Sequence, residues 1–171
     1  PGDVIGLANA AALRPGDTLY RDVPVEFPPI PSFSPEYFSV VRGKDPSKHK
    51  QFRKGIEQLD QEGVVQVLRS DKRGEQAPVF AAVGPMQFEV ASHRMATEIG
   101  AAITMESLPY QVARIVEPED VEFMSKQVSC EVLTRTDGVN LVLFSTPWRL
   151  EGFQRDNPSV KLRSLVAAAE G

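Results

Sequence analysis

A single cysteine, Cys130, serves the whole chain, so no internal disulfide and no Cys-X-X-Cys metal or redox pair can form. That cysteine usage makes a reducing, cytoplasmic setting the expectation. Apolar runs are only a few residues long, far short of the ~20 that a membrane-spanning helix needs. The opening PGDVIGL has neither the basic start nor the apolar centre of a secretion signal. Only two histidines are present, His49 and His93, and they lie on different predicted helices. A zinc site needs three or four ligands. GxxxxGK[ST], GxGxxG and GxSxG are all absent, so the sequence offers no phosphate cradle, dinucleotide fingerprint or nucleophile elbow.

What is present is ordinary globular material: 171 residues, 42% hydrophobic and 25% charged. Such a composition buries enough apolar surface to offset ordering entropy in one domain or two small ones. The net charge of −4 hides an asymmetry. Residues 42–54, RGKDPSKHKQFRK, carry six Lys/Arg and one Asp, while the other 13 Lys/Arg are outweighed by 22 Asp/Glu. A local basic patch can direct binding on an acidic protein.

Residues 1–27 read as turn-and-strand units, PGDVIGL and PGDTLY followed by VPVEF, resembling the end of a β-barrel. They are too few to close one, because small isolated sheets are marginal in water. Two readings are open: a piece of something longer, or strands added to the sheet of a single domain. The proline-rich FPPIPSFSP at 27–35 cannot be helix or central strand and marks a boundary. The expected organisation is therefore residues 1–30 as barrel end and linker and 31–171 as an α+β domain.

Within 31–109 the periodicities predict strand 37–41, helix 48–62 with Phe52, Ile56 and Leu59 inward, strands 64–68 and 79–83, helix 85–99 and strand 103–108. This order is the split βαβ, or ferredoxin-like, arrangement: two helices on one face of a four-stranded antiparallel sheet. Its other face is expected to be open or covered by the residues beyond 109. Residues 110–171 predict a second α/β part: strand 112–116, a short helix at 120–126, a hairpin around Asp137-Gly138, a helix from Pro147 to about Arg155, and a last strand within 160–166.

Candidate chemistry is sparse. Cys130, placed just before a strand, reads as a structural thiol. Glu117, Glu119, Asp120 and Glu122 read as an acidic helix start rather than metal ligands. Trp148 reads as the seed of a small core with Leu150 and Phe153, with an interface anchor as the alternative. The basic stretch is the feature with functional weight. Lys50, Arg53 and Lys54 fall on the helix face opposite Phe52, Ile56 and Leu59, and Arg42, Lys44 and Lys48 lead into that helix. A cationic helix start is disfavoured by its own dipole, so either it is solvated or something such as a phosphate backbone compensates it.

The segment IPSFSPEYFSVVRGKDPSKHKQFRKGIEQLDQEGVVQV at 30–67, followed by AAVGPMQFEVASHRM at 81–95, resembles the bacterial peptide chain release factor 3 family. The specific elements are KDPxKxKQFRKGxxQLxxEGxxQV at 44–67 and GxxQFEV at 84–90. Pro85-Met86 departs from the small apolar pair expected there, and a first-turn proline is tolerated. The resemblance implies a C-terminal, non-catalytic part of a translation-termination GTPase that removes class I release factors from the ribosome. It implies the ribosome and the factor's own GTP-binding domain as partners, class I factors as indirect ones, a monomer, and no cofactor here. GTP, GDP and magnesium would belong to the GTP-binding domain, which these 171 residues lack. Arg42, Lys44, Lys48, Lys50, Arg53 and Lys54 would then touch ribosomal RNA or neighbouring domains. Alternatives are the third domain of an elongation factor G-like GTPase, a free-standing ferredoxin-like RNA-binding module with Phe38 and Phe80 as stacking aromatics, and an acylphosphatase-type enzyme.

Overall fold

Strand Tyr37–Gly43 (β1) buries four consecutive residues, so both of its faces are covered. Its side chains alternate between two cores: Phe38 and Val40 enter one, Val41 the other. The same division runs through Gln66–Arg69 (β2), with Val67 and Leu68, and Val79–Ala82 (β3), with Phe80 opposed to Val79 and Ala81. The computed structural model describes residues 2–8, 10, 13, 16–27, 33–70, 72–74 and 76–165. It divides into two compact units, 1–30 and 31–171.

Among the described residues of the first unit no strand forms, and the barrel-end strands expected over 1–27 are not confirmed. Val4, Ile5, Leu19, Tyr20, Val23 and Phe27 are all exposed. A strand exists through hydrogen bonds to a neighbouring strand, and none of the described residues of this unit supplies one. Much of the proline-rich connector, 28–32, lies outside the described residues.

The second unit is α+β, with an antiparallel sheet and four helices, compatible with a ferredoxin-like domain. After β1 come a 3-10 turn at Pro46–Lys48 and helix His49–Gln61 (α1), then β2 and β3, helix Pro85–Thr97 (α2) and strand Ile103–Ser107 (β4). The order across the sheet is β4-β1-β3-β2, every neighbour antiparallel. The second half repeats the plan: Val112–Val116 (β5), a 3-10 turn and helix Val121–Ser125 (α3), Cys130–Arg135 (β6), Asn140–Phe144 (β7), helix Pro147–Asp156 (α4) and Leu162–Arg163 (β8). Its order is β6-β7-β5-β8, the first half's order reversed, and the halves meet where β2 pairs with β6. The chain thus contains the same βαββαβ succession twice. Pro85 and Pro147 each follow a strand end by three residues, and their N-cap residues share a backbone conformation, Gly84 at φ −148°, ψ 156° and Thr146 at φ −149°, ψ 157°.

This doubling answers what covers the far face of the first sheet. Phe38, Val40, Leu68 and Val79 pack into one inner core with Ala113, Leu133, Leu141 and Leu143. The eight strands therefore curl around a shared interior, with α1 and α2 outside one half and α3 and α4 outside the other. Two details differ from expectation. Cys130 is the first residue of β6 rather than a residue before it, and the last strand is only Leu162–Arg163, with Val166 outside the described residues. Strand β8 is an edge paired on one side only, through two residue pairs to β5, so little holds it longer.

Polar locks fasten the seam. Arg73 donates to both carboxylate oxygens of Glu131 at 2.7 Å, and the Tyr110 hydroxyl donates to the same carboxylate at 3.1 Å. Asp60 on α1 accepts from the Val67 amide at 2.9 Å and from the Thr136 hydroxyl at 2.7 Å. At the centre of the helix pair, Gly55 is required by close approach. A Cβ there would lie 2.6 Å from Met95 Sδ and 2.8 Å from Ile99 Cδ1.

Gly55→Ala is accordingly expected to lower stability by about 1–3 kcal/mol, read as a fall in the urea midpoint; an unmoved midpoint would refute the close approach of α1 and α2. The Tyr110 phenol is pushed up to about 12, first by burial and then by the charge and hydrogen bond of Glu131. Since the folded chain holds this proton more tightly than the unfolded chain, the associated stability is complete below about 10 and is lost as the pH climbs to about 12. Tyrosinate absorbance should show a late step as the pH approaches about 12, and Tyr110→Phe should remove it.

Candidate functional site: a cationic helix face

The start of α1 is built from Asp45, whose carboxylate accepts from the Ser47 amide at 2.9 Å and its hydroxyl at 2.7 Å. Those bonds hold the Asp45 carboxyl below its ordinary range and set the 3-10 turn that launches the helix. No acidic residue occupies the first turn of α1, and Lys48 at its N-cap makes no side-chain cap. The helix then places Phe52, Gly55, Ile56 and Leu59 inward, leaving Lys50, Arg53 and Lys54 exposed on the opposite face.

The six basic residues separate into two groups. Lys48 donates to the Gly100 carbonyl at 2.7 Å, just past the C-terminal end of α2, where the helix dipole favours a cation. Its charge at the start of α1 is thus compensated from within the fold. Arg42 on β1 meets Glu106 on β4 at 3.3 Å, an exposed pair worth less than about 1 kcal/mol. Lys44, Lys50, Arg53 and Lys54 make no side-chain hydrogen bond or ion pair with another described residue. All four are exposed, Lys50, Arg53 and Lys54 on α1 and Lys44 in the loop that leads to it. Beside them, His49, Arg42, Asp45 and Arg73 border a hollow of about 310 Å³ floored by Phe52. Chemically the face offers exposed ammonium and guanidinium groups, which suit phosphate contact.

Other sequence candidates settle elsewhere. Phe38 and Phe80 are fully buried in different cores, so neither is available to stack on a base. Cys130 is half-buried, its thiol pushed up to about 11 by burial, with Sγ 3.6 Å from the Met124 carbonyl oxygen, an arrangement that suppresses the thiolate. Glu117 pairs with Arg163 at 2.8 Å and Glu122 with Lys126 at 2.7 Å, while Glu119 and Asp120 sit at the helix start. His93 is exposed. Trp148 overturns the core reading, because it is 73% exposed. The inward stripe of α4 is Leu150 and Phe153, and a residue two positions before Leu150 projects to the far side of a helix.

Comparison with known proteins follows the same span. A family model described as "Class II release factor RF3, C-terminal domain" matches residues 27–154. A peptide chain release factor 3 of Symbiobacterium thermophilum is 42% identical over 170 residues, 98% of this chain and 32% of that protein. Its counterpart in Synechococcus elongatus is 39% identical over 173 residues, 100% of this chain and 31% of that protein. The chain spans about a third of the length of the curated relatives it matches.

Because Lys50 stands in the first turn of α1 without a partner, Lys50→Glu should stabilise the fold by about 0.3–1 kcal/mol through the helix dipole. A thermal melt at low salt checks this, and a drop in midpoint would show that Lys50 has a structural role.

Proposed function

The chain belongs to the class II release factor RF3 family, and from that membership we propose that it is the C-terminal region of a translation-termination factor, acting as its ribosome-facing and domain-coupling arm. In this reading the whole factor is a GTPase that promotes dissociation of class I release factors from the ribosome. GTP, GDP and magnesium belong to its remaining domains, since these 171 residues contain no P-loop sequence. Residues 31–109 and 110–171 act as two split βαβ units, and residues 2–27 are the end of a β-barrel whose remaining strands lie elsewhere in the factor. Their exposed row of Val4, Ile5, Leu19, Tyr20, Val23 and Phe27 is apolar surface that such strands would bury.

The observation that carries the proposal is the set of unpartnered cations on α1. Ribosomal RNA is a dense phosphate array, and cations that no carboxylate neutralises are free to displace its counterions. Lys44, Lys50, Arg53 and Lys54 form the primary contact, with Arg42 and Lys48 at its margin.

The test is the triple reversal Lys50→Glu, Arg53→Glu, Lys54→Glu in the full-length factor, with ribosome binding measured across a salt series. Affinity at low salt is expected to fall at least tenfold, and the slope of log K against log salt to flatten by about 2, as three lost phosphate contacts require. Unchanged affinity and slope would remove this face from the function.

A further inference from the structure

A second surface lies on α4. Trp148, Arg149 and Gly152 form one wall of a hollow of about 300 Å³, and Gln127 and Ser129 contribute to the other. Val128, between those two, is fully exposed. Gly152 is the informative residue. Glycine in a helix interior lowers stability relative to alanine, so it calls for a reason. Gly55 has one inside the fold, in Met95 and Ile99. Gly152 has none: a Cβ there would meet only the Arg155 side chain, at 3.9 Å. Nor does the architecture demand it. Counting from the matching prolines, α2 carries Val90 at the same place. The fold therefore gives no packing reason of its own for the bare backbone beside the exposed indole.

Charge identifies the chemistry of the occupant. Arg149, next to the indole, is exposed and its side chain has no partner among the described residues, whereas Arg155 is paired with Asp156 at 3.6 Å. Glu151 and Asp156 on the same helix keep its net charge near zero, which disfavours a phosphate backbone. Tryptophan and arginine around a hollow of mixed lining, its apolar part supplied by Trp148 and Phe153 beside Gly152, are the residues that anchor protein–protein contacts. We propose that the Trp148–Gly152 face of α4 docks a polypeptide segment that places an apolar side chain over Gly152 and a carboxylate on Arg149. This surface is separate from the cationic face of α1, and either can fail without the other.

Trp148 is the only tryptophan, so 5-fluorotryptophan labelling gives a single reporter resonance at the site. The labelled chain is titrated with a synthetic octapeptide of alternating Asp and Leu, a matched Lys and Leu octapeptide, and a single-stranded oligouridylate. The acidic peptide should shift the resonance saturably. Arg149→Glu, and Gly152→Leu by filling the depression, should each weaken that binding at least tenfold while the thermal midpoint holds within a few degrees. Three results would overturn the proposal: no saturable shift with the acidic peptide up to millimolar concentration, an equal response to the basic peptide or the RNA, or a shift on diluting the chain alone, which would assign the face to a second copy.

Discussion

The inner core is the constraint on which the rest of the second unit depends. Phe38, Val40, Leu68 and Val79 point away from α1 and α2, and a four-stranded sheet with helices on one side would leave them in water. At roughly 25 cal/mol per Å² of apolar surface, that exposure would cost several kcal/mol. Ala113, Leu133, Leu141 and Leu143 from the second half cover them. Each half thus completes the other, and the β2–β6 pairing is the line along which the sheet continues from one to the next. The pairing itself involves only Leu68 with Arg135 and Arg69 with Thr134, so the apolar interior and the Arg73–Glu131–Tyr110 cluster carry most of the joint.

Closing the interior decides what kind of binding protein this can be. A sheet that reads single-stranded RNA through stacking needs an open face with aromatic residues on it. Here both faces of β1 and β3 are covered over their buried residues; Phe38 and Phe80 are core, and Tyr37 lies exposed at the start of β1. What the buried sheet leaves open is the outer surface of the helices. There the two halves differ although their plan is shared. α1 runs for 13 residues and presents unpaired cations, whereas α3 is a five-residue helix whose approach is acidic.

Much of this was legible in the residues. The inward stripe Phe52, Ile56 and Leu59, the first-turn prolines 85 and 147, and the Asp137-Gly138 hairpin each encode their element locally, and each element forms where the spacing places it. The repeated plan was not legible, because α3 is too short to show a helical period and the halves align through strand order rather than residue identity. The Trp148 reading failed for a different reason. Hydrophobicity says an indole prefers burial, but only the helical phase relative to Leu150 and Phe153 says which side of α4 it occupies. Of the basic residues, spacing identified the exposed face correctly. It could not show that Lys48 reaches Gly100, a contact across 52 positions of sequence.

Duplicated scaffolds make the departures between halves informative. Where two positions have the same backbone role and both lie exposed, a difference in residue type cannot be assigned to core packing, whereas between buried positions it can. Ala91 and Phe153 both face inward, and their sizes follow the cores they fill. Met86 and Trp148 both follow the helix-starting proline, and each is 73% exposed, so the scaffold leaves this place open in both halves. What is built there is then free to answer to partners. In the first half the selected surface is charge on α1, anchored by Gly55; in the second it is an indole beside a bare stretch of helix. Two outward surfaces thus stand on one curled sheet, one cationic and one nearly neutral and aromatic. Each rests on its own helix-side core, and the shared interior on the other side of the sheet joins the two halves.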